Sequence, residues 1–252
     1  MKKFAIVTRG RTGSTAVIDE LGKIGNLCTT QELFLRGPFN PNNENLFKIY
    51  YKLIPPFDLW KQNLGWKKLI LPNYYLGLKY LNEASLLARK SGSKGFGWKV
   101  LSHHFDERPF LIKLLKRNNY NIIYLRRNST RQVLSGMVAN QRGIFNSQKD
   151  VVDNDQYYID IERFKLLVKW ERESVKKDCD KLSMEGFKFI EVSYENFSIN
   201  RKEFYDTILR FLDLPIMLPP STSFVKMIKD PKLIIKNYDE VSCAANELGE
   251  AI

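Results

Sequence analysis

Hydrophobic and polar positions along the chain alternate between two regimes. Nearly unbroken apolar runs rich in strand formers occupy residues 4–8, 95–101 and 121–125, the pattern of strands buried on both faces. A shorter run at 26–30 leads into a loop, and 187–192 alternates with a period of two. Between these runs the spacing turns helical. Val17, Ile18, Leu21 and Ile24 share one face, as do Phe164, Leu167, Val168, Val175 and Leu182, and later Phe204, Ile208, Phe211 and Leu212. Trp170, within the second of these helices, is expected in the core. Strands alternating with helices predict a three-layer α/β architecture: a central, mostly parallel sheet flanked by helices. Residues 36–95 break this rhythm, because Pro38, Asn40, Pro41, Asn42, Asn43 and Pro55-Pro56 divide them into short helices and loops. Residues 141–160 read as a polar loop and a candidate lid. Leu214-Pro215 and Pro219-Pro220 are expected to end the packed body.

Composition narrows the class. At 252 residues, 44% hydrophobic and 13% aromatic, the chain suits one α/β domain over 1–252 with ample buried core. No apolar run approaches the ~20 residues of a membrane-spanning helix, and the apolar stretch after Lys2-Lys3 is too short for a signal peptide. Three dispersed cysteines, Cys28, Cys179 and Cys243, suggest neither disulfides nor a zinc cluster. A reduced, cytoplasmic protein is the expectation. The net charge of +12 implies polyanionic partners: nucleic acid, an acidic membrane surface or a highly phosphorylated cofactor. With only His103 and His104 available, no multi-histidine metal site is possible, so arginines, lysines and carboxylates must carry the polar chemistry.

Three stretches concentrate that chemistry. After the first strand comes Arg9-Gly10-Arg11-Thr12-Gly13-Ser14-Thr15, and then a helix. A Gly- and hydroxyl-rich turn into a helix N-terminus is an anion site, with outward amides and a favourable dipole. It lacks the lysine of the G-x-x-x-x-G-K-[ST] phosphate loop, since Ser14 follows Gly13. The strand at 121–125 ends in Arg126-Arg127, followed by Asn128 or Ser129 as a helix cap and by Ser135 eight residues after Arg127. One cation and one hydroxyl at that spacing can converge on a phosphate; surface arginines and a packing serine are the plainer alternative. Glu32 lies just past the second strand, where ligands bind in open α/β sheets. Partial desolvation by Leu33 and Phe34 would suit it to general-base work, and a solvated loop glutamate is its alternative.

Arg11-Thr12-Gly13-Ser14-Thr15 after a strand resembles the 5′-phosphosulfate loop of sulfotransferases that use 3′-phosphoadenosine 5′-phosphosulfate (PAPS), above all the bacterial carbohydrate branch. The strand–Arg-Arg-Asn–helix–Ser arrangement at 121–135 resembles the 3′-phosphate site of the same family, and Glu32-Leu33-Phe34 is similar to its catalytic Glu-x-Phe. The resemblance implies a P-loop-like sulfotransferase fold in which Arg11, Thr12, Gly13, Ser14 and Thr15 hold the 5′-phosphosulfate. Arg127 and Ser135 would bind the 3′-phosphate, Arg11 would offset charge on the departing phosphate, and Glu32 would be the base. His104 is the rival base, by likeness to the animal cytosolic branch, and Lys99 is either a snorkelling edge residue or one that points into the site. Tyr194-Glu195 is implied to support the cofactor loop. Residues 36–95 would bind the acceptor, and 220–252 would cover the cofactor with a lysine the resemblance does not single out. No metal is implied, and the product would be adenosine 3′,5′-bisphosphate. The acceptor would be a hydroxyl of a carbohydrate or glycolipid. The rivals are a non-catalytic basic binder of nucleic acid or sulfated glycan, and a nucleotide kinase of related fold.

Overall fold

The computed structural model describes residues 1–36, 51, 53–65, 70–148 and 156–252. The Pro38–Asn43 cluster and residues 149–155 of the 141–160 loop therefore lie outside the described residues. Five parallel strands form one central sheet: β1 (Lys2–Thr8), β2 (Leu27–Thr30), β3 (Gly95–Leu101), β4 (Asn121–Arg126) and β5 (Phe189–Ser193), in the order β2-β3-β1-β4-β5. The predicted three-layer α/β architecture is what forms.

The strands read as continuous apolar runs because helices cover both faces. Phe4 and Ile6 of β1 point to one layer, made by α1 (Ser14–Gly22) and, later in the chain, Arg201–Phe211. Ala5 and Val7 point to the other, where α2 (Phe57–Gln62), α3 (Asn73–Lys90), α4 (His104–Glu107) and α5 (Phe110–Arg117) pack around Phe34, Tyr80 and Trp98. In register, Phe4 sits opposite Gly97, and a Cβ there would meet the Phe4 ring at 2.1 Å. A bare glycine in β3 thus makes room for the aromatic ring of its neighbour.

Beyond β4, α6 (Ser129–Arg142) is capped by Asn128, whose side chain accepts the Arg131 N–H at 3.0 Å, as predicted. The long α7 (Ile161–Met184) follows, then α8 (Tyr194–Ile199), α9 (Arg201–Phe211), α10 (Pro231–Ile234) and α11 (Tyr238–Glu247). Two expectations fail here. The prolines at 215–220 do not end the packed body: Ile228, Ile235, Val241, Ala244 and Ala245 return to build a third apolar cluster with Leu134 and Val138 of α6 and Phe164 and Val168 of α7. Trp170 is not core but 55% exposed, because the buried stripe of α7 runs through Phe164, Val168 and Glu171. No described helix is long and apolar enough to cross a membrane.

Candidate active site

The chain leaves β1 towards β2 and leaves β4 towards β5, so a crevice opens between β1 and β4 at their carboxyl ends, the usual ligand position of an open α/β sheet. Two of the predicted stretches meet there. Gly13 caps α1 with φ +76°, and a Cβ would fall 2.2 Å from the Tyr194 ring; only glycine permits both the left-handed turn and that contact. Arg11 also takes a positive φ of 65°, a local strain of the kind that collects at functional loops. The first amides of α1, at Ser14 and Thr15, have no intrahelical acceptor by construction, and both residues line the cleft.

Arg127 donates from Nη1 to the Arg11 carbonyl at 2.9 Å, while its guanidinium carbon lies 4.7 Å from the centre of the Tyr194 ring. Its Nε is buried and, among the described residues, has no acceptor. Arg11 in turn donates to the Ser135 hydroxyl from Nε (3.3 Å) and Nη2 (3.2 Å), and to the Phe145 carbonyl. The loop after β1 and the serine of α6 are thus already in contact. A cleft of about 350 Å³ is bounded by Arg11, Gly13, Ser14, Thr15, Glu32, Lys99, Arg127 and Ser135.

Its electrostatics are one-sided. Burial, joined by the nearby charges of Arg127 and Arg142, brings Arg11 down to about 10. Burial likewise lowers Arg127, partly opposed by Tyr194 and Glu195, and it lowers Lys226 together with the charges of Arg127 and Arg131. Burial is the main cause at all three, and neighbouring cations add to it.

At the other end of the cleft, Lys99 points inward. Its ammonium lies 2.7 Å from Glu32 Oε1 and donates to Thr15 Oγ1 at 3.2 Å. Burial alone would raise the Glu32 carboxyl, but the charge and hydrogen bond of Lys99 prevail and hold it below the ordinary carboxylate range. His104 is 1% exposed and does not line the cleft; its Nε2 is 3.9 Å from Glu32 Oε2, and burial pushes it down to about 4.

Not every predicted residue faces the cleft. The Thr12 hydroxyl turns inward to Thr8 and to the Arg9 carbonyl, leaving only its backbone for a ligand. Arg9 and Arg126 are tied elsewhere, Arg9 to Glu171 (2.7 Å) and Arg126 to Glu191 (3.6 Å). Tyr194 and Glu195 act as supports: the ring packs on Gly13, and the Glu195 carboxylate accepts the Asn128 N–H at 3.1 Å. Residues 224–228 also line the cleft, with Lys226 among them. Composition left that lysine indistinguishable from Lys229 and Lys236. Its selection comes from Thr222, which bonds Glu20 and Asp19 of α1, and from Val225, whose N–H reaches the Ser147 carbonyl at 3.0 Å.

Comparison with known proteins adds the fold. No family model and no curated protein matches the sequence. Solved structures do match in shape. The sulfotransferase domain of the Synechococcus PCC 7002 olefin synthase is similar with a TM-score of 0.53 at 14% identity, over 100% of this chain and 96% of that one. The sulfotransferase domain from the curacin biosynthetic pathway is similar with a TM-score of 0.50 at 13% identity, over 100% and 99% of the two chains. The chain has the α/β fold of sulfotransferases.

Proposed function

We propose that this protein is a PAPS-dependent sulfotransferase acting on an acceptor hydroxyl, of the carbohydrate or glycolipid class. The observation that carries the reading is the convergence of Arg11, Gly13, Ser14 and Thr15 with Arg127, Ser135 and Lys226 in one cleft, where burial lowers all three cations. PAPS fits these residues: the orphaned Arg127 Nε, the Ser135 hydroxyl and Lys226 offer donors for a 3′-phosphate. The turn at Arg11–Thr15 offers donors for a 5′-phosphosulfate. Bound there, PAPS supplies the sulfuryl group, whose bond to the 5′-phosphate oxygen breaks as the bond to the acceptor oxygen forms.

The chain's own residues then have distinct tasks. Glu32 takes the proton of the acceptor hydroxyl, from a carboxylate kept ionised by Lys99. Lys99, between Glu32 and Thr15, sits where it can also neutralise charge on the transferring group. Arg11 must release Ser135 to face the leaving phosphate, and its lowered affinity for its proton among other cations makes an anionic partner welcome. The described part of 36–95 borders Glu32: the Tyr51 hydroxyl donates to the Glu32 carbonyl at 3.1 Å, and the Phe57 N–H to the Leu33 carbonyl at 2.7 Å. That placement suits an acceptor wall. Against a kinase stands the missing loop lysine, and against a surface nucleic-acid binder stands the partial burial of Arg11 and Arg127.

Thermal melting tests the reading. Adenosine 3′,5′-bisphosphate at a hundred times its Kd should stabilise the fold by about 2.7 kcal/mol. AMP at the same concentration should shift it far less, since it leaves Arg127 Nε and Ser135 without a phosphate. Equal shifts from AMP, ATP and the bisphosphate would refute the 3′-phosphate assignment.

A further inference from the structure

A second concavity, of about 370 Å³, lies between α6 and α7 and meets the anion cleft at Gly10 and Arg11, which line both. Its floor is the Gly10–Arg11 turn. One wall is the indole of Trp170, more than half exposed, with the Arg9 guanidinium carbon 4.6 Å from its ring centre. Val133 and Met137 of α6 and Leu167 of α7 add apolar surface.

Its polar groups are unevenly committed. Arg9 is fixed by Glu171 at 2.7 Å and Asp178 at 3.5 Å, so the carboxylate of Glu171 is already paired. Gln132, 4% exposed, gives its amide protons to the Gly10 carbonyl and to Glu171 Oε1, both at 2.8 Å. Its Oε1 is buried and has no donor among the described residues. A buried acceptor left unpaired is destabilising, so a ligand with a hydroxyl donor there gains what a purely apolar one would forfeit. At the rim stand Asn140 and Arg163, and no ion pair to Arg163 occurs among the described residues.

We infer that this groove is the acceptor subsite, and that it takes a glycosyl unit carrying a carboxylate: ring face on Trp170, hydroxyl on Gln132 Oε1, carboxylate on Arg163. Among the described residues the groove offers an aromatic plate, amides and one unpaired cation, with its carboxylate committed, and that is the surface such a sugar complements. The inference rests on the sulfotransferase reading, because the acceptor must end at the anion loop. The groove opens onto the anion cleft at Gly10–Arg11, and Glu32, bordered by 36–95, lines that same cleft at its other end.

The test uses the full chain saturated with adenosine 3′,5′-bisphosphate, whose own binding reports separately on the cofactor reading. A glucuronate-containing hexasaccharide and maltohexaose are titrated by calorimetry. The glucuronate-containing sugar should bind tighter than maltohexaose. Trp170→Ala should weaken both at least tenfold, and Arg163→Ala only the charged one. Trp170→Phe should retain most of the affinity, and none of the three variants should change bisphosphate affinity. Bisphosphate binding with no sugar binding overturns the subsite while leaving the sulfotransferase reading standing. So does sugar binding that is indifferent to Trp170→Ala and Arg163→Ala.

Discussion

Glu32 and His104 show how a neighbour decides what a side chain can do. On ordinary values an imidazole loses its basic form near neutrality and a carboxylate keeps it two pH units lower, so the acidic limb of a rate profile should tell them apart. In this protein it does not, because burial takes His104 down to about 4 while Lys99 lowers Glu32. Both would be basic at neutral pH. Substitution separates them: Glu32→Gln should lower kcat by about 10²–10⁴-fold with bisphosphate affinity nearly unchanged. The loss from His104→Gln should be far smaller, since its ring does not reach the cleft. Near-full turnover in Glu32→Gln would move the base elsewhere. His104 also has a stability signature. Its folded pKa lies below its unfolded one, so the unfolded chain binds the extra proton between about 6.5 and 4 and stability falls as pH drops through that window. A shift of that size corresponds to about 3 kcal/mol. Melting temperature measured from pH 7 to 4 should decline less steeply in His104→Gln; parallel curves would show that other groups dominate.

At the scale of elements, the site depends on how segments distant in sequence are tied together. Glu20 of α1 is 2% exposed and accepts from Arg201 Nε (2.7 Å), the Tyr205 hydroxyl (2.8 Å) and the Thr222 N–H (2.8 Å). One carboxylate thus joins α1, α9 and the segment that brings Lys226 to the cleft. Glu20→Ala leaves Arg201 and Tyr205 without their acceptor, a loss of about 3–5 kcal/mol for a broken buried pair, and frees residues 221–226. Bisphosphate affinity should drop along with melting temperature. Affinity that survives a large loss of stability would detach this segment from the cofactor site. Gly13→Ala should act more locally: strained φ and a clash with Tyr194 cost about 1–3 kcal/mol and should displace the Ser14 and Thr15 amides. The contrast explains what the sequence made legible. The strands, the caps and both arginine-bearing turns rest on contiguous residues, so their patterns are local. Lys226 is positioned by Glu20, two hundred residues earlier along the chain, and no spacing rule encodes that. Trp170 misleads by residue type, since a large aromatic favours the core but this one sits off the apolar face of its helix. The periodicity gives both the helix and its buried side, Phe164, Val168, Val175 and Leu182; Trp170 lies off that face.

For the molecule as a whole, the question is what the charge of +12 serves. A polyanion laid along a basic surface releases condensed counterions, and its affinity falls by roughly one log unit per phosphate contact for each log unit of salt. A small bisphosphate among partly buried cations behaves differently, because such charges are screened less than exposed ones. Arg11, Arg127 and Lys226 are each lowered by burial and by neighbouring cations, so each gains when one anion arrives among them. Duplex DNA binding at 50 mM salt should therefore weaken by orders of magnitude at 200 mM, whereas bisphosphate affinity should change only several-fold. Whatever DNA binds at low salt should be displaced only in part by the bisphosphate, from the mouth of the cleft. Arg127→Ala should weaken the bisphosphate by about 1.5–3 kcal/mol and scarcely affect the DNA, which draws on dispersed lysines. If DNA instead binds at micromolar strength in 200 mM salt, and Arg127→Ala removes that binding while the bisphosphate fails to compete, the cleft is a polynucleotide site and the sulfotransferase reading is wrong.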